Sequence, residues 1–209
     1  MKPLWIVKIG GSLVRSPSLR RWLDVIAAVE LAKVVVVPGG GPFADTVRDT
    51  QRELGFNDEA AHEMALRAME QYALMVCAFN AAFVPADTQT GVENALRAGR
   101  VPVWMPVRMA SDRQDIPASW DMTSDALAAW LANKLGATRL VLVKSAGLRG
   151  RSISVHELQR TGIVDNYFPV LTRAAPYRID VVGPNDYARF GKTGLDASPF
   201  TEVVTDSRA

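Results

Sequence analysis

Short, continuously apolar segments alternate along the chain with longer segments in which apolar residues recur every three or four positions. The valines of Val34–Val37 and the run Leu140–Val143 are the clearest of the short segments. Strands that are apolar on both faces are typical of a parallel sheet covered by helices on both sides. The pattern predicts six strands: Leu4–Ile9, Lys33–Val37, Val101–Met105, Leu140–Val143, Ile179–Val182 and Glu202–Thr205.

The segments between these strands have the periodicity of helices. Pro42 suits the first turn of a helix, and Asn57 or Asp58 can cap the start of the next one. The predicted helices are Leu19–Val29, Phe43–Leu54, a long helix from about Asp58 to about Phe83, and Ser124–Leu135. This alternation predicts a single α/β domain over residues 1–209, a three-layer α-β-α sandwich with a mainly parallel central sheet.

Two glycine-rich loops directly follow predicted strands. The first contains Gly10, Gly11 and Ser12, just beyond Lys8, and the second is Pro38–Pro42. Adjacent glycines permit tight turns and bring backbone N–H groups close to an anion, and a helix N-terminus beyond adds partial positive charge. Ligands of open α/β sheets gather beyond the carboxyl ends of the strands. The two loops are therefore suited to hold two phosphate-bearing groups side by side.

The composition excludes several classes of site and partner. Lys and Arg total 24 against 22 Asp and Glu, a net charge of +2, which gives no reason to expect a nucleic-acid partner. One cysteine, Cys77, excludes a disulfide framework, and with only His62 and His156 as histidines no protein metal site is expected. No apolar segment approaches the roughly 20 residues of a membrane span, and no targeting signal is present. We therefore expect a cytoplasmic protein without a membrane partner.

The second glycine loop also matches a dinucleotide-binding fingerprint. Gly39, Gly41 and Ala44 satisfy the pattern G-x-G-x-x-A, and Asp58 follows at a suitable distance. The glycines follow the second strand, however, and Pro42 lacks an N–H that a pyrophosphate could use. A dinucleotide-binding oxidoreductase is therefore an alternative with weaker support.

Three motifs in a fixed order resemble the amino acid kinase family, which includes acetylglutamate, aspartate, uridylate, carbamate and isopentenyl phosphate kinases. The motifs are Lys8-Ile9-Gly10-Gly11-Ser12, Pro38-Gly39-Gly40-Gly41, and Thr123-Ser124-Asp125 at the start of a helix that precedes the strand Leu140–Val143. The resemblance extends from Lys8 to about Gly150. It implies the amino acid kinase fold, ATP as phosphoryl donor, a small-molecule acceptor and a homo-oligomer. It also implies Mg²⁺ held largely by ATP phosphates and water.

Within that family, four further segments resemble the kinases of methanofuran biosynthesis. These segments are Gly41–Asp45, Ala61–Ala65, Ala68–Tyr72 and Ser119–Asp121. Such kinases convert the phosphate monoester of an aminomethylfuran to a diphosphate, so this is the preferred acceptor. Acetylglutamate, uridylate, isopentenyl phosphate and carbamate are the alternative acceptors, and a non-catalytic nucleotide-binding relative is a further alternative.

The same resemblance assigns roles to individual residues. Lys8 is expected to bridge ATP phosphates, Asp125 to orient the site lysines, and Lys144 to replace a second lysine that the family carries in a stretch absent here, with Lys192 as the rival candidate. The expected catalytic residues are Lys8, Asp125 and Lys144. The expected ATP contacts are Lys8, Gly10, Gly11, Ser12, Lys144, Ser145 and Gly147. The expected acceptor contacts are Gly39, Gly40, Gly41, His62, Thr123 and Ser124.

Overall fold

The computed structural model describes residues 2–145, 148, 152–192 and 201–205, with the backbone alone for residues 191 and 192. Within these residues the strands form one eight-stranded sheet. They are β1 (Leu4–Ile9), β2 (Lys33–Pro38), β3 (Phe83–Ala86), β4 (Val101–Trp104), β5 (Arg139–Val143), β6 (Ser152–Ser154), β7 (Arg178–Val182) and β8 (Thr201–Val204). The order across the sheet is β3-β4-β2-β1-β5-β7-β8-β6, and every pair of neighbours is parallel except β7 and β8.

Helices connect the strands and cover both faces of this sheet. In the described part of the chain they are α1 (Ser18–Ala27), α2 (Gly41–Leu54), α3 (Asp58–Phe79), α4 (Gln89–Arg97), α5 (Val107–Ala110), α6 (Ser124–Leu135), α7 (Val155–Arg160), α8 (Phe168–Thr172) and α9 (Tyr187–Lys192). A 3-10 helix, Gly11–Arg15, follows β1. The predicted three-layer α-β-α sandwich with a mainly parallel sheet is therefore confirmed.

Alternate residues of the central strands belong to two different hydrophobic cores. Ile6 of β1 packs with Leu140 and Leu142 of β5 in the core that contains α6. Val7 of β1 and Val141 of β5 pack in the opposite core, which contains α1. Because side chains of a strand point alternately to the two faces, both cores require strands that are apolar at every position. This requirement explains why the central strands could be recognised in the sequence.

Two predictions about the segment around residue 80 were wrong. The long helix ends at Phe79 and not at Phe83, because Asn80 adopts an extended backbone and its side chain accepts a hydrogen bond from the Ala82 N–H at 2.9 Å. Phe83 instead begins β3, which the sequence analysis did not predict. It did not predict β6 either. Strand β3 contains Pro85 and lies at the edge of the sheet, where proline is tolerated.

The carboxyl ends of the three central strands lie side by side. Ile9, the last residue of β1, is in register with Pro38 of β2 and with Val143 of β5. The loops that follow these strands therefore meet at one edge of the sheet. A Cβ atom placed on Gly11 would come within 2.5 Å of the Gly41 backbone nitrogen, so the two glycine loops touch and Gly11 has no room for a side chain.

A buried carboxylate joins two arginines on neighbouring strands away from this edge. Asp180 of β7 is fully buried, and it accepts hydrogen bonds from Arg139 Nε at 2.7 Å and from Arg178 Nε at 3.0 Å. Arg139 is itself buried on β5 and lies over the ring of Trp5. Two guanidinium groups on adjacent strands would repel each other without this carboxylate, so Asp180 stabilises the pairing of β5 with β7.

We expect Asp180→Ala to lower the free energy of unfolding by about 3–5 kcal/mol, because it removes one partner of a buried ion pair. Urea denaturation monitored by circular dichroism measures the change. Asp49→Ala is the matched control, since Asp49 pairs with Arg52 on the exposed surface of α2, and a change below about 0.5 kcal/mol is expected there. Equal effects of the two substitutions would contradict this role of Asp180.

Candidate active site

Two lysines at the sheet edge point to the same side of the sheet. Lys8 continues the stripe of Ile6 on β1, and Lys144 follows Leu142 by two positions, directly after β5. Since side chains two residues apart share a face, both lysines point toward the core that contains α6. Because side chains alternate between the two faces, both lysines lie on the same face as the apolar residues that precede them, and their ammonium groups are neighbours.

Asp125 lies between these two ammonium groups. Its Oδ1 is 2.9 Å from Lys8 Nζ, and its Oδ2 is 2.5 Å from Lys144 Nζ. Lys8 is 4% exposed and Asp125 is 5% exposed, so their ion pair is shielded from water. Asp125 is the second residue of α6, where the partial positive charge of the helix N-terminus also favours a carboxylate.

Burial and charge act in opposite directions on these groups. Burial alone would raise the pKa of Asp125, but attraction to Lys8 and Lys144 outweighs it and the pKa is lowered. Burial, together with repulsion from Lys8, lowers the pKa of Lys144 to about 8, against the opposing attraction of Asp125. Lys8, Lys144 and Asp125 together carry one net positive charge, and the neighbouring carboxylate of Asp165 offsets it.

A second carboxylate, Asp165, lies beside this cluster and was missed in the sequence. It belongs to the segment between α7 and α8, where the sequence has no regular pattern. Its Oδ2 accepts hydrogen bonds from Thr123 N at 3.0 Å, Thr123 Oγ1 at 2.9 Å and Ala126 N at 3.0 Å. Burial and the like charge of Asp125 raise the pKa of Asp165 to about 6. Only the folded chain brings this residue to α6.

A cavity of about 350 Å³ opens at the lysine pair, and we call it the loop-side cavity. Its described lining consists of Lys8, Gly10–Ser12, Lys144, Ser145 and residues 161–163. Lys8 and five other expected ATP contacts therefore line the same cavity: Gly10, Gly11, Ser12, Lys144 and Ser145. Gly147 lies outside the described residues, as does the side chain of Lys192. The N–H of Gly10 donates to Val143 O at 2.9 Å and is therefore engaged within the protein.

A second cavity of about 240 Å³, the helix-side cavity, lies between the second glycine loop and helices α2, α3 and α6. Gly11 and Ser12 line both cavities, so these two residues form the junction between them. Four expected acceptor contacts besides His62 line the helix-side cavity: Gly40, Gly41, Thr123 and Ser124. Gly39 does not, since its N–H donates to Ile9 O at 2.9 Å and its Cα packs against Gly11.

His62 also faces the helix-side cavity. Burial lowers its pKa, against an opposing effect of Glu63, so the imidazole is neutral at neutral pH. The Nε2 atom is buried and has no hydrogen-bond partner among the described residues. His62 thus places a neutral imidazole at the cavity wall, and its Nε2 would have to become exposed to bind a ligand.

The outer wall of the helix-side cavity is built around Trp120. The Trp120 indole donates to Gln51 Oε1 at 2.6 Å, and Gln51 Nε2 donates to Asp58 Oδ1 at 2.8 Å. The guanidinium of Arg48 lies 4.3 Å from the centre of the indole ring. Asp45 also lines the cavity, and it lies on α2 one turn before Arg48. This wall thus presents an aromatic ring, one cation and two carboxylates.

No metal cluster or membrane span is found in the part of the chain that the structure describes. Within it, no three His, Cys, Asp or Glu side chains are grouped so that they could hold a metal ion. No described helix is both long and apolar enough to cross a bilayer. Asp58 begins a helix after the Asn57 cap and does not end a strand, so the dinucleotide fingerprint is incomplete.

Two comparisons of the sequence with known proteins both identify kinases. A sequence model of the amino acid kinase family matches residues 3–147. The [5-(aminomethyl)furan-3-yl]methyl phosphate kinase of Methanocaldococcus jannaschii is 24% identical over 179 residues, covering 80% of this chain and 82% of that protein.

Solved structures share the same fold. Uridylate kinase from Archaeoglobus fulgidus superimposes with a TM-score of 0.75 at 17% identity, covering 98% of this chain and all of that chain. Isopentenyl phosphate kinase from T. acidophilum gives a TM-score of 0.64 at 20% identity, covering 96% of this chain and all of that chain. With the family match over most of its length, the chain belongs to the amino acid kinase family and is a phosphotransferase.

Proposed function

We propose that the protein transfers the γ-phosphoryl group of ATP to the phosphate monoester of an aminomethylfuran, giving a diphosphate. The observation that carries the proposal is the pair of ammonium groups of Lys8 and Lys144 on Asp125, at the junction of two cavities. A donor phosphate in one cavity and an acceptor phosphate in the other would meet beside these cations. Kinases of this family use ATP, and the donor is assigned on that basis.

The loop-side cavity is the proposed site of the ATP phosphates. Lys8, Lys144 and Ser145 supply side-chain donors there, and Gly11 and Ser12 begin a 3-10 helix, where the first N–H groups lack intrahelical partners. Mg²⁺, when bound, would neutralise charge on the ATP phosphates, and it would be held by those phosphates and water, since the described residues offer no carboxylate cluster for it.

The chemistry requires charge stabilisation and alignment more than covalent work by the protein. An oxygen of the acceptor phosphate forms the new bond to phosphorus while the bond from the γ-phosphorus to the bridging oxygen of ADP breaks. The acceptor phosphate is already ionised at neutral pH, so no general base is required. Lys8 and Lys144 would stabilise the charge on the transferred group, and Asp125 would hold both ammonium groups in place before the reaction.

The helix-side cavity is the proposed acceptor site. Its inner wall, with Gly40, Gly41 and Ser12, offers backbone and hydroxyl groups for a phosphate near Lys8. Its outer wall has the carboxylates of Asp45 and Asp58, which would attract a primary ammonium group. The indole of Trp120 in the outer wall and the apolar side chains that also line the cavity suit a small ring. A short molecule that is anionic at one end and cationic at the other fits this distribution, and the relative from M. jannaschii supports the same acceptor.

Two further expectations remain proposals. We propose that residues 1–209 fold as one amino acid kinase-like domain. We also propose that the chain forms a homo-oligomer and that α3 contributes to the contact. Its exposed apolar side chains Met64, Leu74 and Phe79 are candidates for that surface.

We expect Lys8→Ala to lower kcat by about 10²–10³-fold, because it removes a preorganised cation from the site of charge development. The measurement is ADP release from Mg·ATP with a panel of acceptors: the aminomethylfuran phosphate, acetylglutamate, UMP and isopentenyl phosphate. Turnover of the furan phosphate alone supports the proposed acceptor. Turnover of another acceptor instead would overturn it while leaving the role of Lys8 intact.

A matched control for this substitution is Lys33→Ala. Lys33 begins β2 at the amino end of the sheet, so it lies at the opposite edge from Lys8. Its substitution should leave kcat within about twofold, as is usual for surface changes away from a site. A similar loss in both variants would show that the effect of Lys8→Ala is not local.

The protonation of Lys144 should appear in the pH profile of kcat/KM. Since the pKa of Lys144 is lowered to about 8, its ammonium is charged below pH 8 and loses its proton above it. We therefore expect kcat/KM to fall with rising pH above about 8. In Lys144→Arg this fall should disappear, because a guanidinium stays charged over the whole range. A wild-type profile that is flat through pH 8 to 9.5 would contradict a catalytic ammonium at Lys144.

Recognition of the ammonium end of the acceptor can be tested at Asp58. We expect Asp58→Asn to raise KM for the aminomethylfuran phosphate about fivefold, the size of an exposed ion pair. KM for an analogue without the aminomethyl group should not change. Asp49→Asn is the control, because Asp49 is an exposed aspartate of the neighbouring helix α2 outside the cavity lining. Equal KM changes for both acceptors would refute the role of Asp58.

A further inference from the structure

We infer that Asp165 is a positioning residue of the phosphoryl-transfer site, which holds the start of α6 so that Asp125 bridges Lys8 and Lys144. The inference rests on the proposed function. Asp165 does not contact either lysine through a hydrogen bond in the described structure, so its effect on the reaction passes through Asp125 and through its charge.

The hydrogen bonds of Asp165 hold the backbone on both sides of Asp125. One oxygen, Oδ2, accepts from the backbone N–H groups of Thr123 and Ala126, each at 3.0 Å, and from the Thr123 hydroxyl at 2.9 Å. Asp125 lies between these two anchored residues. Because the backbone is held on both sides, the direction in which the Asp125 side chain leaves α6 is fixed.

Thr123 is the N-cap of α6, but its own side chain makes no capping hydrogen bond to the helix. Asp165, which is distant in sequence, provides that cap. Helices α3 and α4 are capped locally instead, by Asn57 and Thr88. The start of α6 is therefore held by a tertiary contact, even though the local residue Thr123 is of a type that can cap a helix.

The charge at Asp165 is costly for a group that would serve only as a helix cap. The carboxylate is mostly buried, its Oδ1 has no hydrogen-bond partner among the described residues, and Asp125 repels it. The charged groups that act on it are Asp125 and Lys144, and the negative charge of Asp165 raises the pKa of Lys144. A mostly buried carboxylate beside the ion cluster therefore adds a contribution that favours the charged form of Lys144, although a smaller one than that of Asp125, and a neutral cap would not supply it.

The segment that carries Asp165 also connects the two cavities. Residues 161–163 line the loop-side cavity just before it. Directly after it, Asn166 Nδ2 donates to Asp121 Oδ1 at 2.7 Å, and Tyr167 N donates to Asp121 O at 2.8 Å. Asp121 adjoins Trp120 in the wall of the helix-side cavity. Asp165 thus sits where both cavities and the start of α6 are joined.

Steady-state kinetics with two substitutions tests the inference. We expect Asp165→Ala to lower kcat by about 10²-fold, the effect of misplacing a catalytic group by about 1 Å. The KM values for ATP and for the acceptor should stay within threefold. Asp165→Asn keeps a hydrogen-bond acceptor without the charge, so it should lower kcat by less, about tenfold, and it provides the measurement if Asp165→Ala does not fold. A rise in KM with unchanged kcat would overturn the inference.

Thr88→Ala is the matched control for loss of a helix cap. Thr88 caps α4 by accepting from Gly91 N at 3.0 Å, and α4 packs against β3 and β4, away from the lysine pair. This variant should lose thermal stability while its kcat stays within about twofold of wild type. If Asp165→Ala lowers the melting temperature as Thr88→Ala does and leaves kcat unchanged, Asp165 is only a structural cap.

An NMR measurement provides a readout that needs no turnover. With ¹⁵N-lysine labelling, and with Lys8→Arg and Lys144→Arg to assign the signals, the ammonium resonances of both lysines should shift in Asp165→Ala and Asp165→Asn. They should not shift in Thr88→Ala. Unchanged ammonium resonances in both Asp165 variants would overturn the inference. A wild-type protein that phosphorylates no acceptor would instead refute the proposed function, and the NMR result would still decide how Asp165 acts on the lysines.

Discussion

Asp125 shares its two carboxylate oxygens between the buried ammonium groups of Lys8 and Lys144, and this contact joins the start of α6 to the ends of β1 and β5. A buried ion cluster is a poor way to stabilise a fold, because removing charges from water costs as much as their attraction returns. Asp125 and the nearby Asp165 balance the charges of Lys8 and Lys144, but all four groups still lose contact with water. The position of this cluster at the carboxyl edge of the sheet fits the phosphoryl transfer that we propose.

The glycine loops determine how close two phosphate groups could come to each other. Gly11 and Gly41 pack backbone against backbone, and Gly41 has a φ of +55°, which disfavours most other residues. Side chains at these positions would separate the loops and fill the junction between the two cavities. The same glycines leave backbone N–H groups at the start of α2 and of the 3-10 helix. Close packing of the two loops and binding of an anion therefore both require glycine at these positions.

The parts of the candidate site that belong to local motifs could be predicted from the sequence. Lys8 and the first glycine loop follow directly from an apolar strand, and Lys144 ends another such strand. Asp165 could not be found in this way. It is separated from Thr123 by 42 residues and lies between two short helices without a recognisable pattern. Hydrogen bonds over such a separation leave no trace in the periodicity of either segment.

The sequence by itself determined the fold class, the central strands β1, β2 and β5, and the identity of the glycine loops, because strands buried on both faces must be continuously apolar. It failed at the edge of the sheet, where β3 is short and contains Pro85, since edge strands carry a weaker apolar signal. The resemblance led us to expect that Asp125 orients the site lysines, but only the tertiary structure gives its contacts with both Lys8 and Lys144, because these depend on the register of β1 with β5. The tertiary structure alone decided that Asp165 fixes the start of α6, because distant segments meet only when the cores on both faces of the sheet are packed.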